Sequence, residues 1–289
     1  MTDIGANTRQ RVWSPARGYL VFLIPPVLFL VLFFLWPLAT VAYRGLFEPT
    51  FGLQHYYKIL NSSAHVNVLL YTFEVATTVT IICLIISYPL AYVISRAQGG
   101  CLIFCFALVL VPFWTSVVIR TYAWIALFQR RGLINDLLID FGIVERPVRF
   151  MYNNLGVHIG MVQVLLPFMV LPLLSAMRGI DQTKLRAAEV LGANPIRVFW
   201  HVYLPLSMPG VSAGVLLVFI TAVGFYITPA LLGGDRNAMV AVLIEQHVMR
   251  TLNWPLASAL ATVLLILSVL LYIVYERVAR RAGGLGVLG

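Results

Sequence analysis

In a chain of 289 residues, 61% are hydrophobic, only 11% are charged, and the mean hydropathy is +0.91. A soluble domain carries about 25% charged residues, so this composition excludes a water-facing globule and leaves room for one membrane domain with short tails. The formal charge of +9 comes from eighteen Arg and two Lys, scattered singly between apolar runs. With no basic stripe interleaved with aromatics, it does not describe a nucleic-acid-binding surface.

A bilayer core takes about 20 apolar residues in a helix. Long uncharged stretches occur at 19–43, 75–95, 97–119, 150–177, 198–234 and 251–275. They predict an all-α bundle of about six spans, at 19–43, 68–95, 101–127, 152–177, 208–232 and 255–276, within a membrane domain covering 19–278. Residues 1–18 and 279–289 are read as tails. The first stretch is too long for a signal-peptide core and has no small-x-small cleavage site before Trp36-Pro37, so it is read as a span. In the fifth, Pro205 and Pro209 place the start of the membrane helix near Met208.

Six spans put both termini on one side. That side collects eleven basic and four acidic residues, net +7, against eight and six, net +2, on the other. Positive charge accumulates on the cytoplasmic side, so both termini are expected there. Among the basic residues counted are Arg9, Arg11, Arg17, Arg280 and Arg281.

The outer loop 129–149 carries Leu133, Ile134, Leu137, Leu138 and Phe141 at three- and four-residue spacing, with Asn135, Asp136 and Asp140 between them. This pattern predicts a short amphipathic helix lying on the outer face or docking a partner. Proline recurs inside the spans, at 25, 26, 37, 89, 112, 167, 172 and 229. Kinks of this kind survive in lipid where neighbouring helices or a cavity re-satisfy the backbone. Cys83, Cys101 and Cys105 lack ligand-spaced partners and read as small packing residues.

The one long inner loop, 178–207, has helix punctuation of its own. Asp181 can cap a helix through Lys184, Ala187 and Leu191, and Gly192 can end it in a left-handed turn. Asn194 can cap a second helix with Pro195 at its first position, and Pro205 is expected to stop it. Two short helices at a sharp angle are therefore predicted.

Here the sequence resembles the permease subunits of binding-protein-dependent ABC importers. Their loop signature reads Glu-Ala-Ala, three residues, Gly, nine residues, Ile-x-Leu-Pro. Arg186, Ala187 and Ala188 lead through three residues to Gly192, and nine more precede Val202, Tyr203, Leu204 and Pro205. The departure is Arg186 in place of the usual Glu, with Glu189 one turn on. The segments around 110–124, 165–170 and 206–211 are similar to the spermidine/putrescine permeases.

The resemblance implies a type I importer-like fold in the bacterial inner membrane. It implies that Arg186, Ala187, Ala188, Glu189, Gly192, Ala193, Pro195, Leu204 and Pro205 couple the chain to an ATPase. It implies further partners: an ATPase dimer carrying ATP and magnesium, a second permease subunit forming a heterodimer, and a periplasmic binding protein. No cofactor is expected on this chain itself. Neither Lys58 nor Lys184 lies in a phosphate-cradling Gly-x-x-x-x-Gly-Lys loop, and no catalytic constellation stands out.

Ionisable groups inside a membrane are expensive and point to a solute path. Glu74 can meet a cationic amine or pair with Arg120, which would also suit a carboxylate. Tyr71, Trp114, Tyr122, Trp124 and Tyr226 can offer aromatic faces to an ammonium group or serve as packing and interfacial anchors, and Gln163 is polar within an apolar run. The expected solute is a polyamine such as putrescine or spermidine, with another small amine or a carboxylate metabolite such as an opine as the alternative. An ion-coupled secondary transporter is the rival class, but it calls for paired intramembrane acids and an inverted repeat, whereas this chain has one such acid and no convincing repeat.

Overall fold

The computed structural model describes residues 15–48, 51–234 and 237–284, with side chains over 22–48, 51–234 and 237–277. Arg9, Arg11, Asp235, Arg236 and the side chains of Arg17, Arg280 and Arg281 lie outside the described residues. Among the described residues there is no strand. The helices are α1 (Pro15–Leu30), α2 (Trp36–Phe47), α3 (Gln54–Asn61), α4 (Ser63–Arg96), α5 (Gly99–Trp114), α6 (Val117–Phe128) and α7 (Leu133–Asp140). They continue with α8 (Asn154–Arg178), α9 (Gln182–Val190), α10 (Pro195–Val198), α11 (Leu204–Val223), α12 (Ile227–Leu232), α13 (Val240–Met249) and α14 (Trp254–Gly284). Wide π-turns at Val31–Leu35 and Phe199–Tyr203 join α1 to α2 and α10 to α11.

Two hydrogen bonds fix the direction of the central helices. Tyr71, near the start of α4, donates to Asn154 at the start of α8 (2.9 Å), and Arg178 at the end of α8 donates to the Ile94 carbonyl at the end of α4 (3.4 Å). The two helices run parallel, so the chain between them must cross back once. That crossing is the α5–α6 pair, which the sequence alone reads as one span over 101–127. It is broken, with the two helices at 98° to one another. Thr115 and Ser116 are both extended, and the Thr115 amide and hydroxyl turn back onto the Pro112 carbonyl. Proline and two polar residues unmake the helix here, and the exposed Trp114 marks the corner. Among the described residues five helices are long and apolar enough to cross a membrane, and this bent pair, taken as one broken span, makes six.

α8 is the centre. Met161, Leu165, Met169 and Leu173 are wholly buried, and α8 packs on α4 through Val75, Val79 and Cys83. Cys83 donates to the Val162 carbonyl, whereas Cys101 is exposed on α5 and is not a packing thiol. On its other side α8 meets α11 with almost no space between the backbones. A Cβ on Gly210 would stand 2.5 Å from the Ala176 Cβ and 2.9 Å from the Pro172 carbonyl, and one on Gly214 would stand 2.7 Å from Met169 Sδ. Small residues let membrane helices pack closely where no hydrophobic force draws them together.

The fifth span differs from its expected bounds of 208–232. One helix runs from 195 to 223 and stops at Gly224, and α12 is separate, packed against α6 and α8. Pro205 therefore does not end a short second helix. It follows the π-turn, and a wider turn relieves the clash between a proline ring and the preceding carbonyls.

α14 runs alongside α2, with the Arg44 guanidinium over the Trp254 ring at 5.7 Å. α1 and the first part of α2 are exposed from Phe22 to Trp36, an apolar surface suited to lipid or another membrane chain. The short α3 is pinned by Ile59 into a second cluster with Leu69, Val240, Leu256 and Leu260.

Replacing Gly210 by leucine is expected to separate α8 from α11. The variant should insert into the membrane yet lose its monodisperse peak in detergent size exclusion, while Leu217→Ala, at an exposed position of α11, keeps it.

Candidate functional site

Two regions concentrate the chemistry, one at each end of the bundle. The first is at the end where α1 begins and α14 finishes, called here the terminal end. Asp181 opens α9 by accepting the Thr183 amide at 2.8 Å, and this bond, with one from the Thr183 side chain, holds the carboxyl below its ordinary range. The helix closes with the Ala193 amide on the Ala188 carbonyl (3.1 Å) and the Gly192 amide on the Glu189 carbonyl (2.9 Å). That pair is the Schellman cap, and Gly192 takes the positive φ of +87° it requires. Asn194 then accepts the Arg197 amide at 2.8 Å, with Pro195 as the first helical residue.

The two caps set α9 against α10 and leave a blunt tip. Leu185 and Val198 anchor its base in the bundle core, while Val190 and Leu191 are 87% and 88% exposed and Ile196 69%. Three large apolar side chains exposed around so small a turn form a patch suited to a partner surface. Ala187, Glu189, Gly192 and Pro195 are also exposed on this tip, and Ala188 and Ala193 sit partly buried behind it. Leu204 is half-buried in the first turn of α11 beside an exposed Pro205.

Behind the tip lies a cavity of about 540 Å³, lined by Arg96, Gln98, Gln182, Arg186, Glu189 and the Tyr92 and Tyr203 rings among others. Arg96 stacks over Tyr92 at 4.3 Å and Tyr203 at 5.8 Å, and Ser95 shares a hydrogen bond with Tyr203. This latch ties the end of α4 to the start of the 195–223 helix. In the sequence Arg96 counts only towards topology and Tyr203 falls at an unspecified signature position, so neither is marked. Arg186, in the position of the usual Glu, opens into this cavity with Glu189.

The second region is at the opposite end, around α6. Trp124 Nε1 donates to Gln163 Oε1 at 3.5 Å, bringing two of the path candidates together. Thr121 and Thr228 share a hydrogen bond at 3.3 Å, joining α6 to α12. Tyr71 is engaged with Asn154, a residue the sequence does not single out. Trp114, Tyr122 and Tyr226 are 85%, 57% and 39% exposed, on surfaces that lipid or a neighbouring chain can cover.

Glu74 and Arg120 do not form the ion pair the sequence allows. Arg44 and Glu48, by contrast, do pair, at 3.8 Å. Glu74 is on the exposed side of α4, turned away by the Val75–Ala76–Val79 face that packs inward. Arg120 Nε and Nη1 are buried without a hydrogen-bond partner within the chain.

The helix α7 in the 129–149 loop is present, and its leucines are exposed, as a helix lying on lipid or a partner would have them, but one of the polar residues between them faces inward. Asn135 is fully buried, donating to the Gln129 and Val148 carbonyls and accepting the Val148 amide, while Leu133, Leu137 and Phe141 are exposed. The amide side chain ties the two ends of the loop together by satisfying backbone groups at Gln129 and Val148.

A six-crossing bundle with an exposed two-helix tip at one end is the architecture of a transport subunit that works with other chains. Comparison bears this out. The profile of the family described as "Binding-protein-dependent transport system inner membrane component" matches residues 18–284. The spermidine/putrescine transport system permease protein PotB of Haemophilus influenzae is 37% identical over 245 residues, covering 85% of this chain and 81% of the relative. The protein of the same name from Escherichia coli is 34% identical over 233 residues, covering 81% and 84%. A chain in the crystal structure of a bacterial alginate ABC transporter, in complex with an alginate-bound periplasmic protein, superposes with a TM-score of 0.76 at 16% identity, covering 95% of this chain and 99% of that one.

The chain belongs to the family of binding-protein-dependent transport inner membrane components. It is a multi-pass permease subunit of an ABC importer, not an enzyme.

Gly192→Ala tests the cap. Nothing lies within 4 Å of the added Cβ, so only the left-handed backbone is strained, at about 1–2 kcal/mol. Amide exchange over 186–193 should quicken by roughly tenfold, since about 1.4 kcal/mol is a factor of ten, with insertion unaffected.

Proposed function

We propose that the terminal end faces the cytoplasm and that the tip of α9 and α10 docks in a cleft of an ATPase dimer, which holds ATP and magnesium. The observation that carries this reading is the tip itself: Val190, Leu191 and Ile196 project from a doubly capped turn whose base is locked into the core. Ala187, Ala188, Gly192 and Ala193 keep the approach slim, and Arg186 and Glu189 supply charge for register. The usual Glu is replaced, so the contact made by Arg186 is with an acceptor on the ATPase.

At the opposite end a periplasmic binding protein delivers the solute, and a second, non-identical permease subunit completes the path. ATP-driven closure of the partner on the tip then shifts the bundle between its two access states. The solute is a polyamine such as putrescine or spermidine, a reading supported by the names of the relatives above. Glu74, exposed at the outer end of α4, attracts the ammonium groups, with Tyr71, Trp124 and Gln163 close to the route. Arg120 favours a second reading. Two guanidinium nitrogens of Arg120 buried without a partner call for an anion, so a carboxylate-bearing amine is the alternative.

Leu191→Asp should leave the bundle folded, because the side chain touches almost nothing, and abolish co-purification with the ATPase. Retention of the ATPase would remove the tip from the coupling role. For the solute, Glu74→Gln and Arg120→Gln are compared in proteoliposomes holding the full complex. Polyamine uptake should fall roughly tenfold or more in Glu74→Gln and be spared in Arg120→Gln, about 1.4 kcal/mol of lost interaction. The opposite ranking favours the carboxylate.

A further inference from the structure

At the outer end of the bundle two histidines face each other across α4 and α13. The rings of His65 and His247 have their centroids 6.0 Å apart and their planes inclined by 26°. His65 Nδ1 and His247 Nε2 are each buried with no hydrogen-bond partner. A buried nitrogen without a partner is rare enough to need a cause, and here two of them belong to rings in the same gap.

The surroundings of His247 are compatible with a lone pair on Nε2. Its Nδ1 lies 3.2 Å from Thr251 Oγ1, and that hydroxyl already gives its proton to the His247 carbonyl at 3.1 Å. With the hydroxyl so engaged, the oxygen accepts from the ring, and in that tautomer the hydrogen is on Nδ1 and Nε2 presents a lone pair. A metal-bound histidine has this arrangement, its second nitrogen donating to a neighbour that fixes tautomer and ring orientation.

We propose that His65 and His247 form a two-imidazole site for a divalent transition-metal ion of the copper–zinc class. Such an ion sits about 2.0–2.1 Å from each imidazole nitrogen, and imidazole suits copper, nickel and zinc. Among the described residues no third His, Cys, Asp or Glu completes a metal-ligand cluster, so water fills the remaining positions and the ion exchanges with the medium. Lys58, close enough to act on His247 electrostatically, weakens the site relative to a closed four-ligand one.

The ion would act as a staple. α13 is already fastened at its start, where the Val240 amide donates to Thr72 Oγ1 on α4 at 2.9 Å. A bridge at His247 fastens its other end to the same helix. The segment between α12 and α14, on the face where solute is received, would then have its motion relative to α4 restricted by metal in the medium.

The test uses the untagged full chain in detergent with copper(II) alone as the probe, read by electron paramagnetic resonance. The expected result is one saturable copper per chain whose hyperfine pattern reports two imidazole nitrogens. His65→Gln and His247→Gln should each abolish that two-nitrogen signal. Thr251→Val, which removes only the group that positions the His247 ring, should weaken binding by roughly 10–100-fold and keep the pattern. The same signal in wild type and both histidine variants, or no saturable copper in wild type, overturns the site. Should a variant lose its gel-filtration profile, the wild type decides. Copper protection of His65 and His247 from carbethoxylation sustains the site, and equal modification with and without copper ends it.

Discussion

The close approach of α11 to α8 is the contact on which the rest of the bundle depends. Lipid is as apolar as leucine, so nothing like the hydrophobic effect in water drives these helices together. They are held by fit, and the fit is set by Gly210 and Gly214 lying against Pro172, Leu173 and Met169. With α11 seated there, Ser207 comes within 2.9 Å of Tyr88, and Tyr203 takes its place in the Arg96 stack. The same contact brings the start of the 195–223 helix to the end of α4, and so positions the tip and the cavity behind it. A loose fit at two glycines would leave the tip without a fixed base.

Much of this was legible in the sequence where the code is local. The count of apolar runs and the scarcity of charge gave the all-helical membrane class. Asp181, Gly192, Asn194 and Pro195 announced the two caps, because each acts on backbone within a few residues of itself. The break at Thr115–Ser116, the straight run through Pro205 and the inward turn of Asn135 were not legible. Each depends on what packs against the segment: a proline reads as a stop until a π-turn makes room, and an asparagine reads as surface until the loop around it needs a donor. The Glu74–Arg120 pair failed for a related reason. Similar depth along two helices says nothing of which way each side chain faces.

Polar groups are sparse here, and most of the buried ones have a definable task. Tyr71 with Asn154 and Arg178 with Ile94 hold α4 and α8 in register at their two ends. Trp124 with Gln163 and Thr121 with Thr228 seat α6 after its sharp turn. Groups are left without partners on Ser87, on Arg120 and on the His65–His247 pair, and the last two mark places where this chain alone does not complete its own chemistry.

The unbroken helix from 195 to 223 has a mechanical consequence. At about 1.5 Å per residue its 29 residues form a rod roughly 40 Å long, with one end at the exposed tip and the other at Gly224. A rocking of about 10° about its middle swings each end through some 3–4 Å, in opposite directions. Push applied at Ile196 would thus be felt at the far end of the bundle without any relay of side chains, with the wider turn at Phe199–Tyr203 and Pro209 as the places along the shaft where the helical hydrogen bonding is relaxed.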